Sequence, residues 1–330
     1  MKRIGLWHRT VCALLLALGV VGWSPASRAQ PAPYPSKPIR LIVPFPPGGG
    51  TDLIGRFFAD RLAQMLGQSV IVDNRGGAGG NIGNDMAAKA PADGYTLLLA
   101  SGGMAISRAL YRNLPYDCLT DYAPISILVT QSKVLVVNPS VPVRNVGELI
   151  AFARNKEGKL SYGTPGIGTP QHMAMEMFNA MAKIDMVQIP YRGTGPQLSG
   201  LLSGETVVTF ATLASAAPHI GNGSMRAIGI ASAQRSPLLP DVPTIAESGL
   251  PGYDLPDWYA VVAPARTPDA IVARLNAAIA AIESQPEAAA KLKSLGFEPH
   301  PSTPEALDAL LRSESAKWEA MVRSRNLKVE

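Results

Sequence analysis

The chain has 330 residues, 47% of them hydrophobic and 17% charged, with 31 glycines, 29 prolines and a formal net charge of +5. That is a globular composition, and with two cysteines it leaves no room for a disulfide framework. Much of the positive charge sits at the N-terminus, so a nucleic-acid partner, which needs a clustered basic face, is excluded as a reading.

Taken in chain order, residues 1–29 read as a cleavable export signal. Lys2, Arg3, His8 and Arg9 form a basic start, residues 11–23 an apolar core, and Ser27-Arg28-Ala29 the small-residue cleavage site. The apolar core is shorter than the roughly 20 residues a membrane span needs. Cys12 lies within it, away from any lipoprotein-type cleavage site. Lys2, Arg3, Arg9 and Arg28 carry four of the five net positive charges, so the chain that follows has a net charge of +1. Its length of about 300 residues predicts two domains. Cys118 is the one cysteine left, a structural thiol or a nucleophile.

Strands are expected at residues 39–43, 69–72, 96–100, 125–128, 134–137, 160–162, 186–190, 207–210, 227–231 and 259–263. Between them the apolar spacing turns helical. Leu53, Ile54, Phe57, Phe58, Leu62, Met65 and Leu66 recur every three or four positions, and Gly67 stands where such a helix stops. Residues 147–154, 170–181 and 196–202 also read as helices. The βαβα rhythm predicts an α/β fold with parallel-type layers. Beyond Ala265 the pattern is helical. Thr267-Pro268 and Thr303-Pro304 each look like an N-cap followed by proline at the first helical position. Leu275, Ile279 and Ile282 fit one helix, and Leu307, Leu310, Leu311, Trp318 and Met321 fit another that packs back over the first lobe.

Two junctions share one local design. In Val43-Pro44-Phe45-Pro46-Pro47-Gly48-Gly49-Gly50-Thr51-Asp52 an apolar strand stops at a Pro/Gly turn, and a helix starts behind Thr51 or Asp52. In Tyr162-Gly163-Thr164-Pro165-Gly166-Ile167-Gly168-Thr169-Pro170-Gln171-His172 the same order recurs, with Thr169 as N-cap. A helix N-terminus leaves backbone N–H groups unpaired and carries partial positive charge, so each junction suits an anion. Neither has a phosphate-binding P-loop's lysine. Both also have a purely structural reading as a capped turn. Asp52 reads as a cap, because a carboxylate repels an anion. His172 falls near the third helical position, packed against the turn or facing a ligand. Asn74-Arg75-Gly76-Gly77-Ala78-Gly79-Gly80 reads as a rim turn, and Arg192 as a partner for a second carboxylate or a solvated surface arginine. Ser101-Gly102-Gly103 ends a strand where open α/β sheets bind ligands. The G-x-S-x-G elbow, the H-E-x-x-H and C-x-x-C patterns and the G-x-G-x-x-G fingerprint are all missing.

These residues resemble a family. The ordered set Tyr34-Pro35-Ser36-Lys37-Pro38-Ile39, the first glycine turn, Asn74 through Gly80, Asp93-Gly94-Tyr95-Thr96, Leu114-Pro115-Tyr116-Asp117, the second glycine turn, Pro190-Tyr191-Arg192-Gly193 and Asp241-Val242-Pro243-Thr244 is similar to the Bug-type receptors of tripartite tricarboxylate transporters. The resemblance implies a periplasmic-binding-protein Venus flytrap: two α/β lobes joined by crossing strands, with a helical C-terminal tail on lobe one. Lobe one would take residues 30–131 plus 255–330, and lobe two 132–254, with crossings near 128–137 and 254–262. It implies a monomeric, exported periplasmic protein that captures a small organic carboxylate and delivers it to a membrane permease, without catalysis, cofactor, metal or nucleic acid. The ligand-binding set it implies is Phe45, Gly48, Gly49, Gly50, Thr51, Asp52, Ser101, Gly102, Thr164, Gly166, Gly168, Thr169, His172, Arg192 and Thr212. Departures from the family pattern, Ala211 after Phe210, Cys118 after Asp117 and the weakly polar run after Ser101, suggest a less polar far wall. Two other functions remain open at this level: a hydrolase using Ser101 or Cys118, and a carboxylate sensor serving a signalling partner.

Overall fold

The computed structural model describes residues 34–155 and 160–325. The signal-like segment therefore lies outside the described residues. Two mixed sheets organise the chain. The first has the order β11-β4-β10-β3-β1-β2, from β1 (Ile39–Val43), β2 (Val70–Asn74), β3 (Thr96–Ser101), β4 (Tyr122–Gln131), β10 (Asp257–Pro264) and β11 (Phe297–Pro299). The second has the order β7-β6-β8-β5-β9, from β5 (Lys133–Val137), β6 (Ser161–Thr164), β7 (Val187–Pro190), β8 (Val208–Thr212) and β9 (Arg226–Ile230).

Each sheet repeats one plan. β1 pairs in parallel with β2 and β3, and β6 in parallel with β7 and β8. The expectation of parallel layers holds for these strands only. β10 runs antiparallel to β3 and β4, β11 antiparallel to β4, and β5 antiparallel to β8 and β9. The reversal has a topological cause. β5 follows β4 through Ser132 alone, and β10 is the strand on which the chain returns, so neither β5 nor β10 follows a crossover helix.

The helices connect these strands: α1 (Gly50–Leu66), α2 (Asn81–Ala88), α3 (Gly103–Leu110), α4 (Val146–Asn155), α5 (Pro170–Ala182), α6 (Thr194–Ser203), α7 (Leu213–Gly221), α8 (Asp269–Glu283), α9 (Pro286–Ser294) and α10 (Pro304–Arg325). Gly67 ends α1 in the left-handed conformation, as its position predicts. Thr303 caps α10 by accepting from the Ala306 N–H at 3.2 Å. Thr267 does not cap α8, because its hydroxyl donates to the Pro264 carbonyl at 2.7 Å; Pro268 takes the cap position instead.

Strand β5 shows why its residues are continuously apolar. Leu135 and Val137 face one core with Tyr162, Met173, Phe178, Phe210 and Tyr253, while Val134 and Val136 face another with Leu198, Leu201 and Leu213. A strand covered on both sides needs no polar face. In the first lobe Ile42, Leu98, Ala100, Tyr116, Cys118 and Trp258 form the equivalent core. Helix α10 lies on that core through Leu307 and Leu311, as the sequence suggests. Its later turns go further: Trp318 and Val322 join the second lobe's cluster, together with Ala105, Ile106 and Leu110 of α3.

One buried acid stands out. Glu283, in the last turn of α8, is 5% exposed, and its carboxyl oxygens have no hydrogen-bond partner among the described residues. Burial pushes its carboxyl up to about 8, only partly offset by the nearby His300 N–H, which donates to the Leu128 carbonyl. The folded state therefore holds the proton that the unfolded chain releases near pH 4.5. Stability is undiminished below that pH and falls as pH rises toward about 8. Glu283→Gln should raise stability at about pH 8 by at least about 1 kcal/mol, and change it little at about pH 4, in urea melts at both pH values.

Candidate ligand-binding site

The order 2-1-3 in each lobe creates a switch point, where β1 and β3, or β6 and β8, lead to helices on opposite sides of the sheet. Ligands of open α/β sheets bind at such crevices. The loops after those four strands meet here. They enclose a cavity of about 20 Å³ lined by Phe45, Pro46, Gly49, Gly50, Thr51 and Ser101 from one lobe and Pro165, Pro170, Gln171, Thr194 and Thr212 from the other, with Asp257 and Tyr259 from returning β10. Such a volume holds about one water molecule.

Five helices start at this wall: α1 at Gly50, α3 at Gly103, α5 at Pro170, α6 at Thr194 and α7 at Leu213. Their amino ends bring unpaired N–H groups and partial positive charge to one place. The polar side chains there are hydroxyls, an amide and one carboxylate. Thr51 Oγ1 donates to the Tyr259 hydroxyl at 3.2 Å. Thr212 caps α7, accepting from the Ser215 N–H at 3.3 Å.

Helix α1 starts earlier than Thr51. Its N-cap is Gly49, with no side-chain cap, and Asp52 reaches back to accept from the Gly48 N–H at 3.0 Å. The rule that favours Thr and Asp as N-caps placed the start too late, because here the acid braces the turn from the helix's third position. Asp52 also accepts from Arg56 and from the Asn74 amide, each at 3.0 Å, and Asn74 donates as well to the Phe45 carbonyl. Burial alone would raise the Asp52 carboxyl, but the Arg56, Gly48 and Asn74 hydrogen bonds hold it below the usual range. Its partners Gly48, Arg56 and Asn74 tie the turn to α1 and to the end of β2, and Asp52 supports the wall without lining it.

The second glycine turn is braced in parallel fashion. Thr169 donates to the Gly166 carbonyl at 2.8 Å and accepts from the His172 N–H at 3.3 Å, as an N-cap should. His172 Nδ1 accepts from the Gly168 N–H at 3.3 Å, which places the ring proton on Nε2. Burial pulls the His172 imidazole down to about 4, so it is neutral at pH 7. Thr164 accepts from the Gln188 amide at 2.9 Å. Thr164, Gly168, Thr169 and His172 thus lie behind the cavity wall, as does Gly48. Gly102 lines a neighbouring cleft of about 10 Å³ with Lys133, Trp258 and Glu314. Gly166 and the exposed Arg192 line an outer groove of about 820 Å³, which shares Phe45, Pro46 and Pro165 with the inner cavity. The turn at 76–80 forms its rim.

The glycines matter because the lobes touch through them. A Cβ on Gly50 would lie 3.1 Å from Thr212 Oγ1 and 3.4 Å from the Tyr259 hydroxyl, and one on Gly49 would lie 3.2 Å from Thr194 Oγ1. One on Gly79, which has a φ of +67°, would strike the Ile167 carbonyl. Sequence reasoning missed Gln171, Thr194, Asp257 and Tyr259. The first two carry the signal it used elsewhere, a place at the start of a helix after a strand.

The nucleophile reading fails at Cys118. Its side chain is 1% exposed in the first lobe's core, beside Ser315 at 3.7 Å, and burial pushes the thiol up to about 11. Among the described residues no group of acids, histidines and cysteines could hold a metal, and no helix is long and apolar enough to cross a membrane.

The family model for the tripartite tricarboxylate transporter family receptor matches residues 54–327. BugT of Bordetella pertussis is 36% identical over 320 residues, covering 95% of this chain and 98% of its own. Among solved structures, R. palustris Rpa4515 with adipate superposes with a TM-score of 0.87 at 35% identity, over 89% of this chain and 99% of its own. MatC from Rhodopseudomonas palustris with bound malate gives 0.83 at 31% identity, over 88% and 100%.

Neutral buried His172 has a stability consequence. The unfolded imidazole takes a proton near pH 6.5, the folded one only near 4, so stability is full above about 6.5 and declines toward 4. His172→Asn, which keeps an acceptor where Nδ1 lies, should flatten that acid limb in thermal melts run at a series of pH values.

Proposed function

The chain belongs to the tripartite tricarboxylate transporter receptor family, and from that membership we propose that it captures a small organic carboxylate between its lobes in the periplasm and delivers it to a membrane permease of the tripartite type. It is a solute-binding receptor and not an enzyme. The observation that carries the ligand class is the meeting of five helix amino ends on one cavity whose sole charged side chain, Asp257, is already paired with Lys133. Such a wall offers N–H groups and hydroxyls to a carboxylate and no full cation. The adipate and malate of the neighbouring structures are consistent with it.

In this reading lobe one takes residues 30–131 plus 255–330 and lobe two 132–254, and the receptor acts as a monomer without cofactor. Gly49, Gly50, Thr51, Ser101 and Thr212 meet the acid, and Phe45 packs against its apolar part. Gly48, Asp52, Gly102, Thr164, Gly168, Thr169 and His172 hold the turns. Gly166 and Arg192 meet whatever of a longer ligand extends into the outer groove. An inner cavity of about 20 Å³ is too small for a dicarboxylate, so binding requires the lobes to part and close again. Membership of the family supports handing the ligand to a permease over a sensor.

The reading is tested by thermal shift with a panel of mono-, di-, tri- and aromatic carboxylates. An acid at about 100 times its Kd adds about 2.7 kcal/mol, and raises Tm by several degrees. A panel without any shift would overturn it. Gly50→Val should weaken the best acid at least about tenfold, or about 1.4 kcal/mol, by blocking closure against Thr212 of the other lobe. The melting curve of the unliganded variant checks that it still folds, since the crowding at Thr212 is relieved when the lobes part. Unchanged affinity in isothermal titration would remove this turn from the site.

A further inference from the structure

Asp257 has no role in holding a carboxylate, yet it is the one charged side chain among those that line the inner cavity. It begins β10, two residues from Tyr259 and so on the same face of the strand, and Tyr259 stands opposite Ser101 of β3. Ser101, Tyr259 and Asp257 therefore make one wall. A bare carboxylate there would repel an acidic ligand. It is not bare: Lys133 Nζ lies 3.2 Å from Asp257 Oδ2, and the two side chains are 2% and 4% exposed. Gln131 Nε2 donates to the same oxygen at 3.3 Å, and the Trp258 N–H donates to Oδ1 at 3.0 Å.

An ionised carboxylate accepts about four hydrogen bonds. Three are filled from the protein, by Lys133, Gln131 and Trp258. One acceptor position is left, on a group whose charge is countered from behind. We propose that Asp257 reads a hydrogen-bond donor on the ligand, so that the acid preferred is one bearing a hydroxyl or ammonium group over its unsubstituted counterpart. This rests on the carboxylate reading above. Lys133 is a positioning residue: it removes the repulsion that would otherwise bar an anion, and it holds Asp257 at the crossing between the sheets. A site built to bond such a donor rejects the analogue lacking it, because the acceptor is then left buried and unmatched.

The experiment is isothermal titration with pairs that differ by one group: succinate against malate, succinate against aspartate, and glutarate against 2-hydroxyglutarate. The parent should bind at least one substituted acid at least about tenfold more tightly than its partner. In Lys133→Met/Asp257→Leu, which removes both charges together and so leaves neither buried alone, that ratio should fall to within about twofold. Asp257→Asn, checked by its melting curve, provides the second variant and should lower the ratio with less change in shape. A purely structural role would weaken both members of a pair equally. Equal affinities in the parent, or a ratio that survives in both variants, would overturn the inference and leave the carboxylate reading standing. No binding by any acid of these pairs or of the wider panel would overturn both.

Discussion

The amino ends of helices decide where this molecule can bind anything. A parallel strand must hand over to a helix at its carboxyl edge, and in both sheets the strands at the switch point do so on the side facing the other lobe. The alignment of peptide dipoles then does locally what a lysine would do elsewhere, with partial charges that need no counter-ion and do not vary with pH. A full cation would hold an anion more strongly and release it less readily. For a receptor that must give up its ligand, many weak donors suit better than one strong charge.

That arrangement tolerates little else. Glycine is required where the lobes meet, since each added Cβ at 49, 50 or 79 would stand in the other lobe's space. The polar groups that hold the turns in shape sit behind the wall, out of the ligand's way. Asp52 gathers Gly48, Arg56 and Asn74 around the first turn, and His172 with Thr169 does the same for the second through neutral bonds. The two lobes reach the same end by different chemistry. In each, the strand after the helix ends alongside the first: the Arg75 N–H bonds the Val43 carbonyl, and the Tyr191 N–H bonds the Thr164 carbonyl.

Much of this was legible in the sequence, for reasons that can be named. Ile39–Val43 is apolar at every position but Arg40 and is stopped by proline, and the strand has those bounds. Pro170 after Thr169 fixes a helix start that geometry then reproduces. What could not be read was non-local. Nothing near Lys133 in the chain announces a carboxylate, because its partner Asp257 lies on a strand that returns after the whole second sheet. Tyr259 reads as an ordinary strand residue, although its hydroxyl reaches Thr51 at the start of α1 in the same lobe. β11 was missed because three residues ending in proline carry no alternation, and its pairing with β4 comes from the fold. The start of α1 was misplaced because a side chain from inside the helix did the work of a cap.

Helix α10 carries one more implication. Its first half belongs to one hydrophobic core and its second half to the other, with Arg108 of α3 bonded to Glu319 along the way. Helix α10 is thus a rivet through both halves of the molecule. Neither half completes its interior until α10 is in place. The two lobes, although each has its own sheet, are thereby bound into a single cooperative folding unit.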